Sequence, residues 1–232
     1  MRFVVVTGGD FTPTARAQEA IKQADRIIAA DSGADTALQL GIYPSVVVGD
    51  LDSIGLEVKK KLLKHGTQFV DMPTTLLSLP KGSTMPLDPS EKDQTDTELA
   101  INFAVQHGAT EITIFGGIVG DRFDHIIANV LLSTAYSILI RFIAGNQMLW
   151  VSTGPSKQTI HGKKGDLLSL IPLSQKVVGI TTDSLYYPLK NNTLMFGKPR
   201  GISNIFSKNT VAVSFTKGKL LFVYTTTHAQ EE

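Results

Sequence analysis

The chain has 232 residues, 42% of them hydrophobic, with a formal net charge of +1 and no cysteine. That apolar content suits one large domain or two small ones with a sizeable core and excludes disorder as the default state. The near-neutral charge gives no global field for nucleic acid or an anionic membrane, and the lack of cysteine excludes disulfides, thiolate metal sites and a cysteine nucleophile.

The run Arg2-Phe3-Val4-Val5-Val6 is too short for a signal peptide and passes at once into Thr7-Gly8-Gly9, so it reads as a first strand. The longest weakly polar stretch, residues 125–141, is broken by Asn129, Ser133, Thr134, Tyr136 and Ser137 and falls short of the ~20 apolar residues of a membrane helix. A soluble, cytoplasmic protein is expected. The cluster Lys59-Lys60-Lys61 reads as the solvated face of a helix.

Short β-branched runs at residues 3–7, 26–30, 46–48, 68–70, 112–115 and 138–143 alternate with helical patterns. This alternation predicts an α/β fold: an open, mainly parallel sheet with helices on both faces. From about residue 146 the pattern changes to closely spaced short strands at 148–152, 166–172, 177–182, 210–215 and 220–224, which predicts an antiparallel β-sandwich or barrel. The expected domains are 1–145 and 146–232. Residues 72–90 contain Pro73, Pro80, Pro86, Pro89 and Gly82 and read as a long loop within the first domain.

Four acidic motifs fall after strands, where an open α/β sheet binds its ligands. Asp31-Ser32-Gly33-Ala34-Asp35 follows the second strand and also reads as a turn and helix cap. Asp50-Leu51-Asp52-Ser53 follows three valines and Gly49. Two carboxylates brought together there repel, and Mg²⁺ offsets that repulsion while binding substrate phosphate; a solvated turn with the side chains apart is the alternative. Lys92-Asp93-Gln94-Thr95-Asp96-Thr97-Glu98 precedes a helical pattern, with Thr95 and Glu98 at capping-box spacing and Asp96 in the first turn. Gly116-Gly117 leads through Arg122, Phe123 and Asp124 to His125, with Arg122 offering donors to phosphate and Asp124 a metal ligand or proton acceptor. His125 reads as a helix-start or packing residue. The glycine spacing does not match the dinucleotide fingerprint.

With these four motifs in order, and with Arg200-Gly201-Ile202-Ser203-Asn204 downstream, the chain resembles the bacterial thiamine pyrophosphokinases over nearly its whole length. The resemblance implies an N-terminal α/β domain, a C-terminal β-sandwich and a homodimer with active sites at the subunit interface. It implies transfer of a pyrophosphoryl group from ATP to the hydroxyl of thiamine, giving thiamine pyrophosphate and AMP. By the same resemblance, Asp50, Asp52 and Asp96 hold Mg²⁺ and act in catalysis with Asp124. Asp31, Ser32, Asp93, Thr95 and Arg122 bind the nucleotide end, and Ser203 and Asn204 contact thiamine. Residues 72–90 depart from the family pattern as an insertion. Phe206 is a better candidate than Trp150 for stacking on thiamine.

Two other functions fit parts of the pattern. Val-Gly-Asp-Leu-Asp-Ser resembles the aspartyl-nucleophile loop of haloacid-dehalogenase-like phosphatases, although that loop normally follows the first strand rather than the third. A module that binds Mg-ATP or thiamine without turnover would need the same carboxylates.

Overall fold

The computed structural model describes residues 1–9, 11, 13–71 and 94–227. The expected loop at 72–90, Lys92 and Asp93 lie outside the described residues. The chain divides into two compact units, Met1–Leu132 and Ser133–Glu232.

In the first unit β1 (Arg2–Val6), β2 (Arg26–Ala30), β3 (Val46–Gly49), β4 (Gln68–Asp71) and β5 (Glu111–Phe115) pair in parallel in the order β5-β1-β2-β3-β4. Between them run α1 (Ala15–Gln23), α2 (Gly33–Gln39), α3 (Leu56–Lys64) and α4 (Asp96–Gln106), and α5 (Phe123–Leu132) follows β5. Val4, Val5 and Val6 of β1 and Val46, Val47 and Val48 of β3 are all buried. Successive strand residues point to opposite faces, so unbroken burial means that both faces of the sheet are covered. Each such side chain contributes roughly 1.5–3 kcal/mol by leaving water, so the valine runs drive the formation of this layer.

The chain proceeds from β1 outward through β2 and β3 to β4, then returns to place β5 on the other side of β1. The order of strands reverses between β1 and β5, and the crevice beyond the carboxyl ends of two such strands is where open α/β sheets bind ligands.

The second unit contains β6 (Leu139–Ala144), β7 (Gln147–Thr153), β8 (Ser156–His161), β9 (Leu167–Pro172), β10 (Lys176–Asp183), β11 (Asn192–Met195), β12 (Asn204–Ile205), β13 (Thr210–Phe215) and β14 (Lys219–Thr225). One antiparallel sheet runs β12-β9-β14-β7-β6 and a second, 4-stranded one runs β11-β10-β13-β8. Their inner faces share a core in which Leu168, Leu170 and Phe222 meet Val177, Ile180, Val211 and Val213, so the unit is a sandwich. Residues 138–143, read from sequence as a strand of the first part, largely coincide with β6, which pairs antiparallel with β7 across the Gly145-Asn146 turn. A hairpin is local, so β6 goes with the second unit.

Candidate active site

Asp31 leaves β2 with φ 42°, in the left-handed region that aspartate tolerates better than most residues. Its backbone is fastened on both sides: its N–H donates to Val48 O at 2.9 Å, and its carbonyl accepts from Ala34 N–H at 2.9 Å as α2 begins. Gly49 ends β3 with φ 150°, and a Cβ there would lie 3.0 Å from Cβ of Asp31. Glycine is therefore needed both for the backbone angle and for the close approach. The loop beyond it folds back, because the Ser53 hydroxyl donates to Asp31 Oδ2, while Asp52 N–H makes a long contact of 3.5 Å to Asp50 Oδ1. As a result one carboxylate oxygen from each of Asp31, Asp50 and Asp52 lies within 4.8 Å of the other two.

Asp31 is 7% exposed, and its Oδ1 is buried with no hydrogen-bond partner among the described residues. Leaving such an oxygen unsatisfied is costly. Each pair of carboxylates at this separation also repels by about 1 kcal/mol in water and about 3 kcal/mol at an effective dielectric near 20. A hard divalent cation relieves both costs, and Mg²⁺ combines one or two carboxylates with phosphate oxygens and water. The donor set therefore fits the magnesium expected from sequence. Asp31 joins Asp50 and Asp52 in this group, whereas Asp96 lies in the wall of the neighbouring cleft.

That cleft, of about 350 Å³, opens at the reversal between β1 and β5. Gly8 and Gly9 after β1 and Gly116 and Gly117 after β5 line it. Gly116 has φ 90°, and a Cβ there would lie 2.7 Å from Thr7 O, so only glycine lets these two loops meet. Ala30 and Ser32, the neighbours of Asp31, line the cleft, as do Thr95, Asp96 and Thr97 at the start of α4. Thr95 caps that helix by accepting from Glu98 N–H at 3.2 Å, which bears out the expected helix start. Unpaired amides and the positive end of the helix dipole make such a terminus suitable for phosphate. Asp121, Arg122 and His125 also line the cleft.

Arg122 and Asp124 meet as a fork: Nε donates to Oδ1 at 3.0 Å and Nη2 to Oδ2 at 2.7 Å. These hydrogen bonds hold the Asp124 carboxyl far below the usual carboxylate range and raise the Arg122 guanidinium. Asp124 thus pairs with Arg122, which lines the cleft.

Thr7, Gly8, Gly9 and Asn129, which also line the cleft, carry only faint marks in the sequence. The Gly-Gly pair directly after the first strand, echoing Gly116-Gly117 after the fifth, was the available signal. Asn129, 6% exposed, donates to Gly117 O at 2.6 Å and fixes that glycine loop. Its only trace in the sequence was one amide in an apolar helix.

In the second unit Asn204 is buried and spends its side chain on the backbone. Its Oδ1 accepts from Tyr187 N–H at 3.0 Å and from Ile205 N–H at 2.9 Å, and its Nδ2 donates to Tyr187 O at 2.7 Å. Ser203 beside it is exposed, with φ 54° and its N–H donating to Ser169 Oγ at 2.9 Å. Phe206, expected as a stacking ring, is 0% exposed within the sandwich core and cannot reach a ligand. Trp150 is likewise buried, stacked on Phe222 at 5.0 Å. Tyr186, Tyr187 and Phe196 are accessible rings, 65%, 61% and 65% exposed, the two tyrosines edge to face at 4.8 Å. Tyr187 lines a hollow of about 260 Å³ together with Arg200, Gly201, Ile202 and Asn204.

The family model described as "Thiamin pyrophosphokinase, catalytic domain" matches residues 17–75 and 79–141, more than half of the chain. The chain belongs to the thiamin pyrophosphokinase family. A second model, "Thiamin pyrophosphokinase, vitamin B1 binding domain", matches residues 157–220. The thiamine pyrophosphokinase of Bacillus subtilis (strain 168) is 28% identical over 202 residues, 86% of this chain and 86% of that protein. A crystal structure of thiamine pyrophosphokinase from Bacillus subtilis is similar with a TM-score of 0.79 at 26% identity, over 98% of this chain and 100% of that one. One from Geobacillus thermodenitrificans gives 0.74 at 26% identity, over 100% and 99%. The family is one of enzymes, so the chain is a transferase, with the fold expected from sequence. These matches support neither the phosphatase nor the non-catalytic reading.

Proposed function

We propose that the chain transfers the pyrophosphoryl group of ATP to the hydroxyl of thiamine in a Mg²⁺-dependent reaction, releasing AMP. The observation that carries the magnesium dependence is the buried, unpartnered Oδ1 of Asp31 set against Asp50 and Asp52, at strand ends beside a glycine-lined cleft. Asp31, Asp50 and Asp52 hold the cation, with Asp96 facing the same phosphates from the start of α4. A divalent cation held there would supply positive charge to the phosphate oxygens. Gly8, Gly9, Gly116 and Gly117 let the backbone approach the triphosphate closely, and Arg122, braced by Asp124, neutralises its outer end. In-line attack at the β-phosphorus by the thiamine hydroxyl then depends mainly on positioning and charge stabilisation.

Ser203 and the exposed ring of Tyr187 receive thiamine, and Asn204 contributes by holding the Tyr187 backbone. A homodimer and a cytoplasmic location belong to the same proposal, the dimer on family resemblance alone. Among the described residues no helix is long and apolar enough to cross a membrane. Removal of divalent cations with EDTA tests the magnesium dependence: AMP production should stop and return when Mg²⁺ is restored. Undiminished production in EDTA would refute it.

A further inference from the structure

We propose that Ser53 is a positioning residue, whose hydroxyl clasps Asp31 and thereby builds the three-carboxylate cation site; the inference rests on the magnesium reading above. Ser53 is exposed and outside the core. Nor does it cap the following helix: α3 begins after Gly55, which makes no side-chain cap, so the hydroxyl has no role there. It donates instead to Asp31 Oδ2. With that oxygen engaged and the Asp31 backbone fixed through Val48 and Ala34, Oδ1 is left as the buried, unpartnered atom of the group.

The same hydrogen bond ties down the loop that carries Asp50 and Asp52. Three mutually repelling carboxylates would otherwise spread the loop, and Gly49 and Leu51, with φ of 150° and 58°, show that its backbone is already bent to bring them in. The Ser53 hydroxyl, donating to a carboxylate at the end of the neighbouring strand, counters that spreading. Ser53 therefore acts through Asp31 and touches neither cation nor substrate in this scheme.

The test is Mn²⁺ binding to the free protein, followed by electron paramagnetic resonance, which needs neither ATP nor turnover. Ser53→Ala and the nearly isosteric Ser53→Cys should bind Mn²⁺ about tenfold more weakly than the unchanged protein, equivalent to about 1.4 kcal/mol. Ser53→Thr, which keeps the donor, should restore binding to within about twofold by the same reasoning. The metal-free variants should remain folded, with the circular-dichroism spectrum of the parent. Parental Mn²⁺ affinity in Ser53→Ala or Ser53→Cys overturns the proposal while leaving the magnesium reading intact, and so does failure of Ser53→Thr to restore it. Absence of Mn²⁺ binding in the parent protein itself overturns both.

Discussion

Gly49 and Asp31 touch across neighbouring strands: a Cβ on Gly49 would lie 3.0 Å from Cβ of Asp31, at a backbone φ of 150°. Gly49→Ala is therefore expected to lower stability by about 1–3 kcal/mol and to displace Asp31 from Asp50 and Asp52. Urea denaturation and Mg²⁺ titration read the two effects separately. An unchanged midpoint would show that the contact is not tight.

Removing charge from the acidic group should separate stability from activity. Asp31→Asn and Asp52→Asn both relieve repulsion, so the metal-free proteins should be at least as stable as the parent. Their turnover should fall by roughly a hundredfold or more, the scale on which preorganised electrostatic groups act, and Mg²⁺ should no longer raise their melting temperature. Near-normal turnover in Asp52→Asn would rule out its role as a metal ligand.

The pairing of Arg122 with Asp124 makes a prediction about pH. A carboxyl held below its unfolded pKa contributes stability that is present above the ordinary value near ~3.9 and is lost as pH falls through the depressed one. Asp124 is such a group, because of the hydrogen bonds from Arg122. Its side-chain carbon resonance should titrate well below the ordinary midpoint in the parent and return to about 4 in Arg122→Ala. An ordinary midpoint in the parent would contradict the ion pair.

The aromatic residues of the second unit divide by burial. Phe206→Ala should cost about 3–5 kcal/mol of stability, as for any large core truncation. Tyr187→Ala should change stability by less than about 0.5 kcal/mol but raise the KM for thiamine about five- to tenfold, the worth of an aromatic contact. A Tyr187→Ala variant with unchanged KM would remove this residue from the thiamine end.

Both layers of the fold were legible because burial leaves a period. The unbroken valines of β1 and β3 mark a sheet covered on both faces, and the alternation in β9 and β13 marks a sandwich. Thr95 as helix cap was readable from its spacing to Glu98. What stayed hidden depends on contacts between segments remote in sequence. Sequence order separates Asp31 from Asp52, and only the parallel pairing of β2 with β3 unites them. The Arg122–Asp124 fork stayed hidden too, because a sequence does not reveal that Arg122 folds back onto Asp124. Phe206 looked available because it follows Ser203-Asn204, yet β12 directs it into the core.

Pyrophosphoryl transfer is read from its products. Incubation with ATP, Mg²⁺ and thiamine, followed by mass analysis, should yield thiamine pyrophosphate and AMP in equal amounts, with neither formed when thiamine is omitted. Thiamine-independent release of inorganic phosphate, or the absence of AMP, would contradict it.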